Sequence, residues 1–162
     1  SPEKGIGLAL WLAEKYKWEL DIIGSTFGCD EGQMAYVLQR CDGSRVRYWG
    51  ELELEMKREV LQQAKGLLWL TPSFEEPFGL GIVEANLCGT PVVAFPRGST
   101  PELIANKVNG FLALSEEDIV DAVNHFGDVP PENCRVAGET LSRERMAERY
   151  LELYQEVQEK GW

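Results

Sequence analysis

Histidine is almost missing from this chain, with a single residue, His125, among 162. The four cysteines, Cys29, Cys41, Cys88 and Cys134, form no Cys-x-x-Cys pair, so a zinc site of ordinary spacing cannot be written and no metal is expected. Free thiols in a reducing cytosol are the expected state. Basic residues are also scarce: 16 Lys and Arg against 27 Asp and Glu leave a net charge of −11. Such a surface repels polyanions and argues against nucleic acid as a partner, while leaving room for a single phosphate pocket. Long hydrophobic runs are absent as well. The longest, such as Gly66 to Leu70, are far too short to span a bilayer, and no charged-then-apolar leader precedes them, so no transmembrane segment is expected. No internal repeat or low-complexity segment is present.

What is there is an ordinary globular composition, 44% apolar, in a chain long enough for one domain. A domain of this length buries roughly two thirds of the surface its unfolded form exposes. Compact apolar runs bounded by Gly, Pro or Asn read as strands: WELDIIG, RVRYWG, GLLWLTPS, PVVAF and NGFLAL. Between them, GIGLALWLAEKY, EGQMAYVLQRC, ELEMKREVLQQAK, LGIVEANLCG and TPELIAN carry apolar residues at spacings of three and four and read as helices. The alternation predicts an α/β domain with a parallel sheet. Gly24, Gly50 and Pro72 fall at carboxyl ends of strands, where open α/β sheets place their ligands. After the last strand Ser115 caps a helix, and DVPPENC is expected to break the chain before a closing helix at about 142–160. Its stripe of Met146, Tyr150, Leu153, Tyr154 and Val157 is expected to dock on the domain.

The candidate site lies in EEPFGLGIVEANLCGTPVVAF. A helix beginning near Leu80 places Glu84 on one stripe with Leu80, Val83 and Leu87, and a carboxylate there needs a partner or a ligand. The preceding FGLG offers no Ser, Thr, Asp or Asn cap, so the first amides of the helix are open to a ligand's oxygens. Glu76 sits in the loop before the helix, and both carboxylates should converge on one crevice mouth. Acceptors beside a row of donors suit a polyhydroxylated ligand that bears phosphate. Glu75 reads as solvated loop charge, and His125 as a surface or half-buried helix residue.

These segments resemble the E-x7-E signature of the retaining glycosyltransferases of family four, enzymes of GT-B architecture. The likeness continues in SPEKGIGLAL, in YWGEL, in GSTPELIANKVNGFLA and in SRERMAERYLELY, and it covers nearly the whole chain. It implies a doubly wound parallel sheet, the Rossmann-like half of a GT-B fold. It also implies a donor-binding domain over 1–162, acting on a UDP-, GDP- or ADP-sugar with no further cofactor. Glu76 would hold hydroxyls of the transferred sugar, and the amides of Phe78, Gly79 and Leu80 would line sugar and diphosphate. Glu84 would accept the ribose hydroxyls, Lys4 would meet the diphosphate, and backbone groups of Trp49, Gly50, Glu51 and Leu52 would border the base. The activity implied is metal-independent, cytoplasmic transfer of a hexosyl unit to an acceptor hydroxyl with retention.

The family's acceptor-binding amino-terminal domain, which would hold an acceptor sugar or lipid and supply any peripheral membrane attachment, has no counterpart in this sequence. The family's first strand, ending in an Arg shortly before Lys4 and Gly5, is missing too. Five strands are therefore expected, with unpaired edges at WELDIIG and GLLWLTPS. These edges would take a sixth strand from outside residues 1–162 or be drawn together in a shifted register. Lys4 is expected on an untethered amino terminus, and the isolated chain is expected to be inactive. The rival reading from another class is a noncatalytic nucleotide-sugar-binding or partner-docking module of the same fold. A doubly wound domain of another kind, such as a flavodoxin-like protein, would leave Glu84 and the uncapped FGLG without a common cause.

Overall fold

The computed structural model describes residues 4–26, 29–73 and 75–161. Among these residues five strands form where the compact apolar runs predict them: β1 (Leu20–Ile23), β2 (Val46–Gly50), β3 (Leu67–Trp69), β4 (Val92–Ala94) and β5 (Gly110–Leu112). Helices α1 (Ile6–Tyr16), α2 (Glu31–Leu38), α3 (Leu54–Gln63), α4 (Leu80–Leu87), α5 (Thr100–Leu103) and α6 (Glu116–Asn124) occupy the stretches of helical spacing. Each helix from α1 to α5 separates consecutive strands or precedes the first, the connection that parallel pairing requires.

Every pairing is parallel, but the strands form two sheets. One is β1–β2 and the other is β3–β4–β5. Among the described residues β1 and β3 thus each keep one unpaired edge, as the sequence predicts for WELDIIG and GLLWLTPS. Both strands line one cleft of about 2200 Å³, so the two edges are not drawn together. Within the larger sheet β4 is the interior strand, and Val92, Val93 and Ala94 are all fully buried. Alternate residues of a strand face opposite sides. Val93 accordingly packs with Phe111, Ile119, Ala122 and Phe126, while Val92 and Ala94 pack with Ile82, Val83 and Ala85 of α4. This two-sided burial is what a doubly wound sheet demands of its middle. A smaller cluster of Leu10, Ile22, Val37 and Val46 joins α1 and α2 to the β1–β2 sheet.

Two expectations about the carboxyl-terminal third need correction. DVPPENC does not simply break the chain, because Pro131 opens a further helix, α7 (Pro131–Glu139). Proline suits this first position, where its missing amide loses no bond. α7 packs on α4 at close range: a Cβ on Gly138 would come within 2.9 Å of the Leu87 backbone nitrogen. The closing helix α8 (Arg143–Lys160) forms with Ser142 as its cap, its hydroxyl accepting from the Arg145 amide at 3.3 Å. Its apolar stripe does not dock, however. No residue of α8 is buried, and Met146, Tyr150, Leu153 and Tyr154 are all about half exposed. Mixed charge and local pairs such as Lys160 to Glu156 at 2.6 Å support the helix in solvent instead.

Candidate functional site

The cleft lies between β1 of one sheet and β3 of the other, and specific contacts fix its two edges. Gly24, just past β1, donates to the Gly50 carbonyl at 2.9 Å, and the Tyr48 hydroxyl donates to the Gly24 carbonyl at 3.0 Å. These bonds tie the loops after β1 and β2 together. Gly50 has φ 69°, a left-handed conformation that glycine adopts without strain. Trp49, 43% exposed, is anchored by its indole Nε1, which donates to Asp21 Oδ1 at 2.7 Å. Asp21 also takes a bidentate pair of bonds from Arg47, at 2.6 and 2.8 Å. The Arg47 guanidinium, with help from the Trp49 indole, holds the Asp21 carboxyl below its usual range.

At the other edge, Lys4 is not on an untethered terminus. Gly5 packs against the Leu70 carbonyl so closely that a Cβ would overlap it, which pins the start of α1 to the end of β3. From there Lys4 Nζ reaches Glu76 Oε2 at 2.9 Å and lies 5.9 Å from the Trp69 ring centroid. The Glu76 side chain is only 11% exposed. Its loop is clamped by Ser99, whose amide donates to the Glu76 carbonyl and whose hydroxyl donates to the Phe78 carbonyl, each at 2.9 Å. Gly98 permits that contact, since a Cβ there would overlap the Glu76 backbone.

Helix α4 starts at Leu80, as its sequence predicts. Gly79 at its N-cap has φ 83° and makes no side-chain cap bond. Among the described residues, none of the amides of Phe78, Gly79 and Leu80 donates a hydrogen bond. Four such orphan donors are general to helix starts, and here no side chain covers them.

Glu84 needs a correction in its surroundings. Ile82, Val83, Ala85 and Asn86 form the buried side of α4, while Leu80 and Leu87 are 69% and 48% exposed. The sheet covers the side carrying Ile82, Val83 and Ala85, α7 packs beside Leu87, and Glu84 faces α3. Glu84 is therefore half-buried rather than central in an apolar face, and Lys57 of α3 pairs with its Oε1 at 2.6 Å. Lys57 escaped sequence reasoning because the contact joins two helices 27 positions apart, beyond any periodic signal.

Lys4, Trp49, Glu51, Leu52, Lys57, Gly81 and Glu84 all line the cleft. Two residues read as unrelated to a site stay outside it: Glu75 is exposed, and His125 ends α6 with Nδ1 2.7 Å from the Asp121 carbonyl oxygen. The four cysteines are free, and burial pushes the Cys134 thiol up to about 11. The cleft thus gathers Lys4, Lys57, Glu51, Glu84 and the Trp49 indole beside Gly81 of α4, an arrangement able to take an anion and a polyol together, whereas Glu76, Phe78, Gly79 and Leu80 are not among its lining residues and Glu76 meets it only through Lys4.

Comparison with known proteins gives this arrangement a family. Residues 8–127 match the family described as Glycosyl transferases group 1, and the chain belongs to that family. The chain is 32% identical over 89 residues to the phosphatidylinositol N-acetylglucosaminyltransferase gpi3 subunit of Schizosaccharomyces pombe, a match covering 55% of this chain and 18% of that protein. It is 27% identical over 127 residues to a probable sucrose-phosphate synthase of Thermosipho melanesiensis, covering 76% of this chain and 30% of that one. Among solved structures, Anabaena Alr3699/HepE in complex with UDP superposes with a TM-score of 0.80 at 22% identity, over 96% of this chain and 46% of that one. That likeness shows the α/β fold. The chain spans less than half the length of each of these three proteins.

Proposed function

We propose that the chain is the donor-binding domain of a family four retaining glycosyltransferase. It transfers a hexosyl unit from a nucleoside-diphosphate sugar to an acceptor hydroxyl with retention at the anomeric carbon. The observation that carries this reading is the cleft between β1 and β3, which Lys4, Lys57, Gly81 and Glu84 line together, with the uncapped start of α4 leading into Gly81 and Glu76 paired to Lys4. The family membership of residues 8–127 supports it, as do relatives whose names denote sugar transfer and a similar fold solved with UDP.

In this reading Glu84 accepts the ribose hydroxyls, and the groups from Trp49 to Leu52 border the base. The amides of Phe78, Gly79 and Leu80 take oxygens of the sugar and diphosphate. Lys4 turns from Glu76 toward the diphosphate and steadies the departing charge, so that fixed electrostatics rather than a metal assist the leaving group. Glu76, released from Lys4, accepts hydroxyls of the transferred sugar. The acceptor is held by a domain outside these residues, and closure onto it excludes water that would otherwise hydrolyse the donor. The 162-residue chain alone then binds donor without turning it over.

The test is proton NMR of the full-length protein with UDP-, GDP- and ADP-sugars and a panel of sugar and lipid acceptors. Release of nucleoside diphosphate with a product of the donor's own anomeric configuration is the expected result. An inverted product would refute retention. Binding without turnover for every pair would favour a noncatalytic sugar-nucleotide module.

A further inference from the structure

The Lys57–Glu84 pair differs from the local ion pairs of α8. Arg145–Glu148 and Lys160–Glu156 join neighbouring turns of exposed α8, with side chains more than half exposed. Lys57 and Glu84 instead join two helices, with side chains 29% and 36% exposed, and both line the cleft. The bond is short, 2.6 Å, and falls on one oxygen, Oε1. Among the described residues the other oxygen makes no hydrogen bond.

A carboxylate meant to accept two vicinal hydroxyls must be ionised, because a protonated one offers a donor where an acceptor is needed. It must also hold a single orientation, since a Glu side chain free to rotate loses more freedom when a ligand arrives. An ammonium fixed on one oxygen meets the second demand. α3 can supply it because Lys57 lies near its amino-terminal end, shortly after β2, which carries Trp49, and the loop that carries Leu52.

We propose that Lys57 is a positioning residue for recognition of a nucleotide's vicinal ribose hydroxyls, acting through Glu84. This rests on the assignment of Glu84 to the donor's ribose. Lys57 need not touch the ligand; it sets the aim of the group that does, as outer-shell partners of other ligating side chains do. Its effect is therefore confined to ligands that carry the diol.

The test is calorimetry of the protein with UDP, GDP, ADP and inorganic pyrophosphate, on wild type, Lys57→Met, Lys57→Arg, Glu84→Gln and the Lys57→Met/Glu84→Gln double variant. Methionine keeps the apolar stem, and the pair is exposed enough that the variant folds. Lys57→Met is expected to weaken the preferred nucleoside diphosphate roughly tenfold, the low end for outer-shell partners. Pyrophosphate affinity is expected to stay within about twofold, since it has no hydroxyls to lose. Lys57→Arg restores most of the loss, and Lys57→Met adds nothing once Glu84 is Gln. Equal losses for nucleotide and pyrophosphate would mean a merely structural pair and overturn the proposal. If Glu84→Gln weakens nucleotide binding while Lys57→Met does not, the positioning role fails and the ribose assignment stands. If Glu84→Gln changes nothing, both fall.

Discussion

Breaking the contact between Lys4 and Glu76 should loosen the mouth of the cleft by an amount the structure bounds. The two charges lie 2.9 Å apart, with side chains 48% and 11% exposed. A fully exposed pair contributes about 0.2–1 kcal/mol, whereas removing one partner of a buried pair costs about 3–5 kcal/mol. With one partner in solvent and the other nearly enclosed, the coupling should fall between these limits, at about 1–2 kcal/mol. Lys4 also lies near the Trp69 ring, so a single substitution mixes terms. A double-mutant cycle with Lys4→Met and Glu76→Gln isolates the pair. For a domain of this size a loss of about 1.5 kcal/mol lowers Tm by roughly 3–6 °C. Urea unfolding of the four proteins, followed by circular dichroism, gives the coupling. A value below about 0.5 kcal/mol, the level of an ordinary surface pair, would refute the view that Glu76 holds Lys4 at the site.

Two further outcomes follow from other contacts. In the full-length protein, Glu76→Ala should depress turnover while leaving affinity for free nucleoside diphosphate nearly intact; equal losses for sugar-bearing and sugar-free ligands in steady-state kinetics and calorimetry would assign Glu76 to shaping the loop. Asp42 Oδ1 accepts from the amides of Ser44, Arg45 and Val46 at 2.9, 2.7 and 3.0 Å, and these backbone bonds, that of Val46 foremost, hold its carboxyl far below the usual range. Because the folded value is depressed, the stability from this turn is present above the unfolded carboxylate value of about 3.9 and is lost as pH falls below it. The difference in urea midpoint between wild type and Asp42→Asn should then be full near about pH 6 and shrink below about pH 4. A pH-independent difference would contradict the assignment.

Local signals carried most of the fold. Runs such as PVVAF are apolar throughout and bounded by Gly, Pro or Asn, so β4 was legible as a strand. FGLG located the start of α4 because Gly79 alone tolerates the left-handed turn there and offers no side-chain cap. What was illegible depends on neighbours. PENCRVAGE buries only Cys134 and Gly138, too little periodicity to mark α7, and its leading prolines read as a break rather than a start. The stripe on α8 specifies an amphipathic helix but not what covers it. Glu84 was legible as a carboxylate in need of a partner. The partner was not, since Lys57 reaches it across two helices, just as Lys4 reaches Glu76 across 72 positions.

The central claim, that Glu84 receives the ribose of a nucleotide-sugar donor, is tested most directly by calorimetry of the full-length protein with UDP-, GDP- and ADP-sugars before and after Glu84→Gln. The substitution preserves size and removes the charge, so binding of the preferred donor should weaken by about 1.5–3 kcal/mol, the range for hydrogen bonds to a charged group. Unchanged affinity, or no affinity of the wild-type protein for any of the three donors, would contradict it.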